Sequence, residues 1–191
     1  MEGWFEIKVR AVWGPEEKDD KETVILGRRV AWKDWGIEYE ADPGQREKIL
    51  EFFGFEFGKT RELSTNGSKK EGEFGDEESE VLDKGVGSNY RSVGARFNYL
   101  QQDCPDIQYG TKEVCRGMAN PTERDWECLK KLARYLVGRE RVVWKYEWQD
   151  EGAKWRVSTD SDWAGCKATR KSCSGGVLMK GTHCIKTWCS T

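Results

Sequence analysis

The chain has 191 residues, 37% of them hydrophobic and 12% aromatic, which is enough apolar material for one medium core or two small ones and excludes a wholly disordered chain. Its 32 basic and 34 acidic residues leave a formal net charge of -2, so the overall balance gives no sign of a nucleic-acid-binding protein. Seven cysteines, an odd number, follow a start with no charged-then-apolar leader; free thiols in a reducing compartment are expected rather than a disulfide framework. No apolar run approaches the roughly 20 residues of a membrane-spanning helix, and the expected location is intracellular, cytoplasmic or nuclear, without a membrane partner.

In chain order, alternation around Phe5, Ile7 and Val9 predicts a strand within Gly3 to Trp13, and β-branched residues predict a second within Glu22 to Lys33. A polar loop, Gly14 to Lys21, joins them, and Gly36 to Glu40 supplies a third strand. Asp42-Pro43 then reads as a helix start, with Ile49, Leu50 and Phe53 on one face and Gly54 as the stop. The stretch from Thr65 to Gly87 is rich in Gly, Ser, Lys and Glu and reads as a linker; seven acids and no base lie between Glu71 and Asp83.

Three helical patterns follow, Asn89 to Gln102, Pro105 to Met118 and Pro121 to Val137, the last with Trp126, Leu129, Ala133 and Leu136 at spacings of three and four. Strands are predicted at Val142 to Glu147, Trp155 to Trp163, Cys173 to Lys180 and His183 to Cys189, with Gly181-Thr182 as a tight connection. From Ala153 onward seven bases stand against two acids, a surplus compatible with a phosphate backbone as partner. Trp126, Tyr135, Trp163 and Trp188 read as core or buried sheet residues, and Asp19-Asp20 as turn chemistry. The spacings of Cys166, Cys173, His183, Cys184 and Cys189 match no zinc motif, and the single histidine has no visible nucleophile partner.

The run Trp155-Arg-Val-Ser-Thr-Asp160-Ser-Asp162-Trp163-Ala-Gly165, followed by Arg170-Lys-Ser-Cys-Ser-Gly-Gly176, resembles the opening of the ribonuclease H domain in Ty1/copia-type retrotransposon Pol polyproteins. Tyr90-Arg-Ser92, Tyr99-Leu100, Pro105-Asp-Ile107, Asn120-Pro-Thr122 with Trp126, and Arg134-Tyr-Leu136 with Gly138 are similar to the segment joining reverse transcriptase to that domain. Phe5-Glu-Ile-Lys8, Leu26-Gly27 and Gly36 to Phe55 resemble, more weakly, the stretch downstream of the polymerase Tyr-x-Asp-Asp motif, which is itself absent.

This resemblance implies an α+β fold: a polymerase-tail meander and helix, a helical connection, then a truncated RNase H-like antiparallel three-stranded sheet. The corresponding divisions are 1–64, an acidic linker at 65–88, 89–140 and 141–191. In such enzymes two divalent metals, Mg2+ or Mn2+, about 4 Å apart cleave the RNA strand of an RNA–DNA hybrid, and several carboxylates must converge to hold them.

By resemblance Asp160 is the first of these carboxylates and the catalytic candidate; Asp162, two residues on, is a further ligand or a surface acid at the strand end. Arg170, Lys171 and Lys186 are the candidate nucleic-acid-binding residues, set against solvated surface charges as the plainer reading. The next family ligand falls on a helix after the third strand, and the chain ends at Thr191 ahead of it. The expectation is therefore a fragment of a copia-like polyprotein, catalytically inactive and with no tightly bound metal, whose partners are an RNA–DNA hybrid or other nucleic acid and the remainder of the polyprotein. The alternative is a non-catalytic nucleic-acid-binding module that uses the basic C-terminal segment.

Overall fold

The computed structural model describes residues 8–64, 79–165 and 170–190. Within them lie four α-helices and two antiparallel sheets, one of four strands and one of three, a mixed α+β arrangement.

The first sheet begins with β1 (Glu22–Ile25) and β2 (Arg28–Lys33), paired from Glu22 opposite Ala31 to Ile25 opposite Arg28. The continuous strand expected over Glu22 to Lys33 is thus a hairpin. Its two-residue turn is Leu26-Gly27, both at positive φ (51° and 79°), which matches strand twist but places a leucine where Asn or Gly is usual. β3 (Gly36–Glu40) pairs with β2. The strand expected around residues 3–13 lies partly outside the described residues; from Lys8 to Val12 there is no strand, and Trp13 makes an isolated bridge to Asp20. Asp19 and Asp20 accept backbone N–H bonds from Glu16 and Val12, so this acid pair closes a loop.

The fourth strand of this sheet, β4 (Val143–Glu147), comes from beyond the helices and pairs with β3 from Glu40 opposite Val143 to Gly36 opposite Glu147. Sequence grouped it with the last three strands. Strand pairing is a non-local property that alternation alone cannot assign.

α1 (Pro43–Phe53) starts and stops on local chemistry: the Asp42 side chain accepts from Gly44 N–H, Pro43 has no N–H to strand, and Gly54 ends the helix at φ 63°. α2 (Lys84–Leu100) begins five residues before the predicted Asn89, because Asp83 caps the amides of Gly85 and Val86. The predicted linker thus gives way to helix at Lys84, and its residues 65–78 lie outside the described residues. The pattern at Pro105 to Met118 splits into a single 3-10 turn, Pro105–Ile107, and α3 (Gln108–Arg116). α4 (Glu123–Val137) opens with a reciprocal box in which Thr122 and Asp125 each bond the other's backbone N–H.

The four helices pack on one another around Ile49, Tyr90, Val93, Phe97, Leu129 and Leu132, all essentially inaccessible. Trp126 and Tyr135 belong to this packing as expected, Trp126 against Phe53 with centroids 5.7 Å apart. The second sheet, β5 (Trp155–Ser161), β6 (Ser174–Lys180) and β7 (His183–Ser190), is a meander with β6 in the middle and Gly181 at φ 59° in the tight connection.

His183 ties the two sheets together. Its Nε2 lies 2.7 Å from the Glu147 carbonyl and therefore donates, leaving Nδ1 to accept from Gln149 Nε2 at 2.9 Å. Tyr146 adds an O–H bond to the Cys184 carbonyl. α3 then reaches the same sheet through Gln108 Nε2, which donates to Thr187 Oγ1 at 2.8 Å.

Candidate nucleic-acid interface and acidic site

β5 is an edge strand, bonded to β6 on one side only, and every residue along it is exposed. Asp160 stands opposite Gly175, and Gly175 stands opposite Cys189. Two-residue alternation puts Asp160 on the face that carries Thr187 and Cys189, the face turned to α3. Gly175 brings no side chain between them, so the carboxylate looks over an open stretch of sheet.

Asp162 does different work. Its Oδ1 accepts from Cys173 N–H at 2.6 Å and from Gly165 N–H at 3.3 Å, while its own N–H donates to the Cys173 carbonyl. It anchors the loop between β5 and β6. Among the described residues no three of His, Cys, Asp and Glu gather closely enough to hold a metal ion.

The three basic candidates separate. Lys171 lines an open concavity of about 430 Å³ together with Lys112, Cys115 and Arg116 of α3, Asn98 of α2, Gln101 just after it, and Cys189. Arg170, exposed and at φ 57°, precedes it in the loop. Lys186 is paired with Leu178 and projects from the opposite face of the sheet. That face also carries Trp188, whose indole lies across Gly176, where any side chain would run into the ring. Trp188 is half-buried, as expected of a sheet residue; Trp163, expected to be buried, is 93% exposed, because β5 ends at Ser161 and leaves it in the loop.

Lys112 and Arg116 went unrecognised in the sequence. Their signal is an i, i+4 pair of bases on one helix face, legible only once α3 is known to pack beside β7. Glu113 bridges both, at 3.1 Å from Lys112 and 3.4 Å from Arg116.

Of the two thiols in contact here, Cys189 lines this concavity and Cys173 lies behind it. Cys173 Sγ and Cys189 Sγ lie 3.7 Å apart, and Lys112 Nζ is 2.9 Å from Cys173 Sγ. Burial opposes the charge on Lys112, yet its hydrogen bonds to Cys173 and Glu113 carry the ammonium above the ordinary lysine value. Burial, then the hydrogen bond with Cys173, pushes the Cys189 thiol up to about 11.

No protein-family model matches the chain, and no solved structure does. It is similar to an uncharacterized mitochondrial protein of Arabidopsis thaliana, 35% identical over 100 residues, 51% of this chain and 40% of that protein. It is also similar to the retrovirus-related Pol polyproteins from the Arabidopsis thaliana transposons RE1 and RE2, 30% and 29% identical over 105 residues. That match covers 54% of this chain and 7% of each polyprotein, so the chain spans less than half the length of these three relatives. The chain is thus distantly related to copia-like retrotransposon Pol polyproteins over about half its length. No helix among the described residues is long and apolar enough to cross a membrane.

Proposed function

We propose that the chain is a piece of a copia-like Pol polyprotein that runs from the tail of a reverse transcriptase, through a helical connection, into the opening strands of a ribonuclease H domain. The observation that carries this reading is the 105-residue similarity to the RE1 and RE2 polyproteins. The meander β5-β6-β7, with Asp160 near the end of its first strand, supports the ribonuclease H part. In an intact polyprotein of this kind the activities would be RNA-directed DNA synthesis and hybrid cleavage. This chain alone is proposed to do neither, since Asp160 contributes one carboxylate and Asp162 is spent on the loop.

The test is an RNA–DNA hybrid incubated with the chain and Mg2+ or Mn2+, with Asp160→Asn alongside. Neither protein should cleave. Cleavage by the unaltered chain that vanishes in Asp160→Asn would overturn the inactive reading and make Asp160 a catalytic ligand.

A second reading is favoured by the cluster of Lys112, Arg116 and Lys171 around one concavity: a non-catalytic module that binds nucleic acid through phosphates. It predicts duplex or hybrid affinity that drops steeply between 50 and 200 mM salt, by about tenfold for every two phosphate contacts. Lys171→Ala should weaken it and Lys186→Ala, on the opposite face, should not. Affinity indifferent to salt removes this reading.

A further inference from the structure

We infer that Cys173 and Cys189 form a redox-active dithiol, a modification site that closes into a disulfide by exchange with an anionic small-molecule disulfide of the glutathione type. The pair is set by register. Cys189 lies opposite Gly175 in β7, and Cys173 immediately precedes β6, so both side chains fall on the α3 face at neighbouring rungs. Their sulfurs are already in contact at 3.7 Å and need side-chain rotation, not a strand shift, to approach the bonded distance of about 2.05 Å.

The surroundings divide the labour between the two thiols. Lys112 Nζ donates to Cys173 Sγ at 2.9 Å, which puts a positive charge beside the sulfur that must carry negative charge as it attacks or leaves. Cys189 has the neighbouring thiol as its hydrogen-bond partner and partial burial around it, and serves as the resolving thiol. Both are half-buried, and Cys189 opens onto the concavity lined by Lys112, Arg116 and Lys171, which would draw in a carboxylate-bearing disulfide.

The exchange balances in two steps. Cys173 thiolate, its proton released to solvent, attacks one sulfur of the small disulfide; that S–S bond breaks and one small thiolate departs and takes up a proton. Cys189 then loses its proton, attacks Cys173 Sγ, and expels the second small thiol. Two electrons pass from the protein dithiol to the small disulfide, leaving one protein disulfide and two small thiols. The bond would join the entry to β6 with the end of β7 and fix the loop that bears Arg170 and Lys171.

The experiment is peptide mapping by mass spectrometry of the whole reduced chain after exposure to graded ratios of oxidised to reduced glutathione, with free thiols blocked at quench. A Cys173–Cys189 linked peptide should form first and revert with excess reduced glutathione. Cys189→Ser should stop at a glutathione adduct on Cys173, and Lys112→Met should slow modification of Cys173 roughly tenfold while Lys112→Arg preserves it. Free Cys173 and Cys189 at ratios that oxidise other cysteines, or a dominant link from either to a different cysteine, would overturn the proposal using the unaltered chain alone. A Cys173 rate unchanged in Lys112→Met would overturn the role of the lysine.

Discussion

Arg28 Nε sits 2.7 Å from Asp103 Oδ2 at a nearly closed junction, with side chains only 12% and 7% exposed. The arginine comes from the first rung of β2 and the aspartate from the turn after α2. Tyr39 O–H bonds the other carboxylate oxygen at 2.7 Å, Arg28 Nη1 donates to Tyr99 O–H, and Trp144 Nε1 donates to the Asp103 carbonyl. Three strands of the first sheet are thereby fastened to the helical layer through one acid.

Removing that acid leaves a guanidinium confined without its counter-charge. Asp103→Leu should therefore cost about 3–5 kcal/mol in denaturant unfolding. Pairing it with Arg28→Met should recover a large part, since two apolar groups leave no stranded charge; a double variant as unstable as the sum of the singles would contradict this account.

Leu26 holds a left-handed conformation and is 79% exposed, at the first central position of the β1–β2 turn. An L-residue pays about 1 kcal/mol for that conformation, and Asn pays less. Leu26→Asn should raise stability by about 0.5–1 kcal/mol, because the contact it makes, its carbonyl accepting from Tyr99 O–H, belongs to the backbone. A lower melting midpoint would show that the leucine side chain contributes packing.

Glu40 accepts from Arg141 Nε and Nη2 at 2.6 and 2.8 Å, and this hydrogen bonding, against some desolvation, holds its carboxyl below the ordinary value of 4.5. A depressed folded-state value means that the stabilisation is full above the unfolded carboxylate range and is lost as pH falls through the folded one. The stability gap between the unaltered chain and Glu40→Gln should thus be constant near neutrality and shrink below about pH 4.5. Urea unfolding at stepped pH reads it directly.

The α4 cap offers a smaller, local test. Thr122→Ala removes the hydroxyl that meets Asp125 N–H at 3.3 Å and should cost about 1 kcal/mol. Thr122→Ser should restore most of it, and thermal unfolding followed by far-UV circular dichroism distinguishes the two.

These sites also mark what could be read from the chain. α1 was legible end to end because Asp42, Pro43 and Gly54 act on their own neighbours. The β1–β2 turn was not, since nothing about Leu26 advertises a positive φ. The start of α2 was hidden by Gly85 and Gly87, which look like linker until Asp83 is seen to cap the amides of Gly85 and Val86. At the candidate site, alternation put Asp160 on a strand, but its row with Gly175 and Cys189 depends on register across three strands. The contribution of α3 to the basic concavity depends on helix-to-sheet packing, which no local pattern encodes.

The position of β4 has a consequence for how the molecule assembles. Glu40 and the Arg141 that meets it are 101 residues apart, with all four described α-helices between them. The meander can form early, but its outer edge at β3 stays open until the helices have condensed and delivered the fourth strand. Closing that span is the slow, entropically costly event. During synthesis on a ribosome, the first sheet therefore stands unfinished until Glu147 has emerged, and its bare edge is the surface through which a half-made chain would be captured by another.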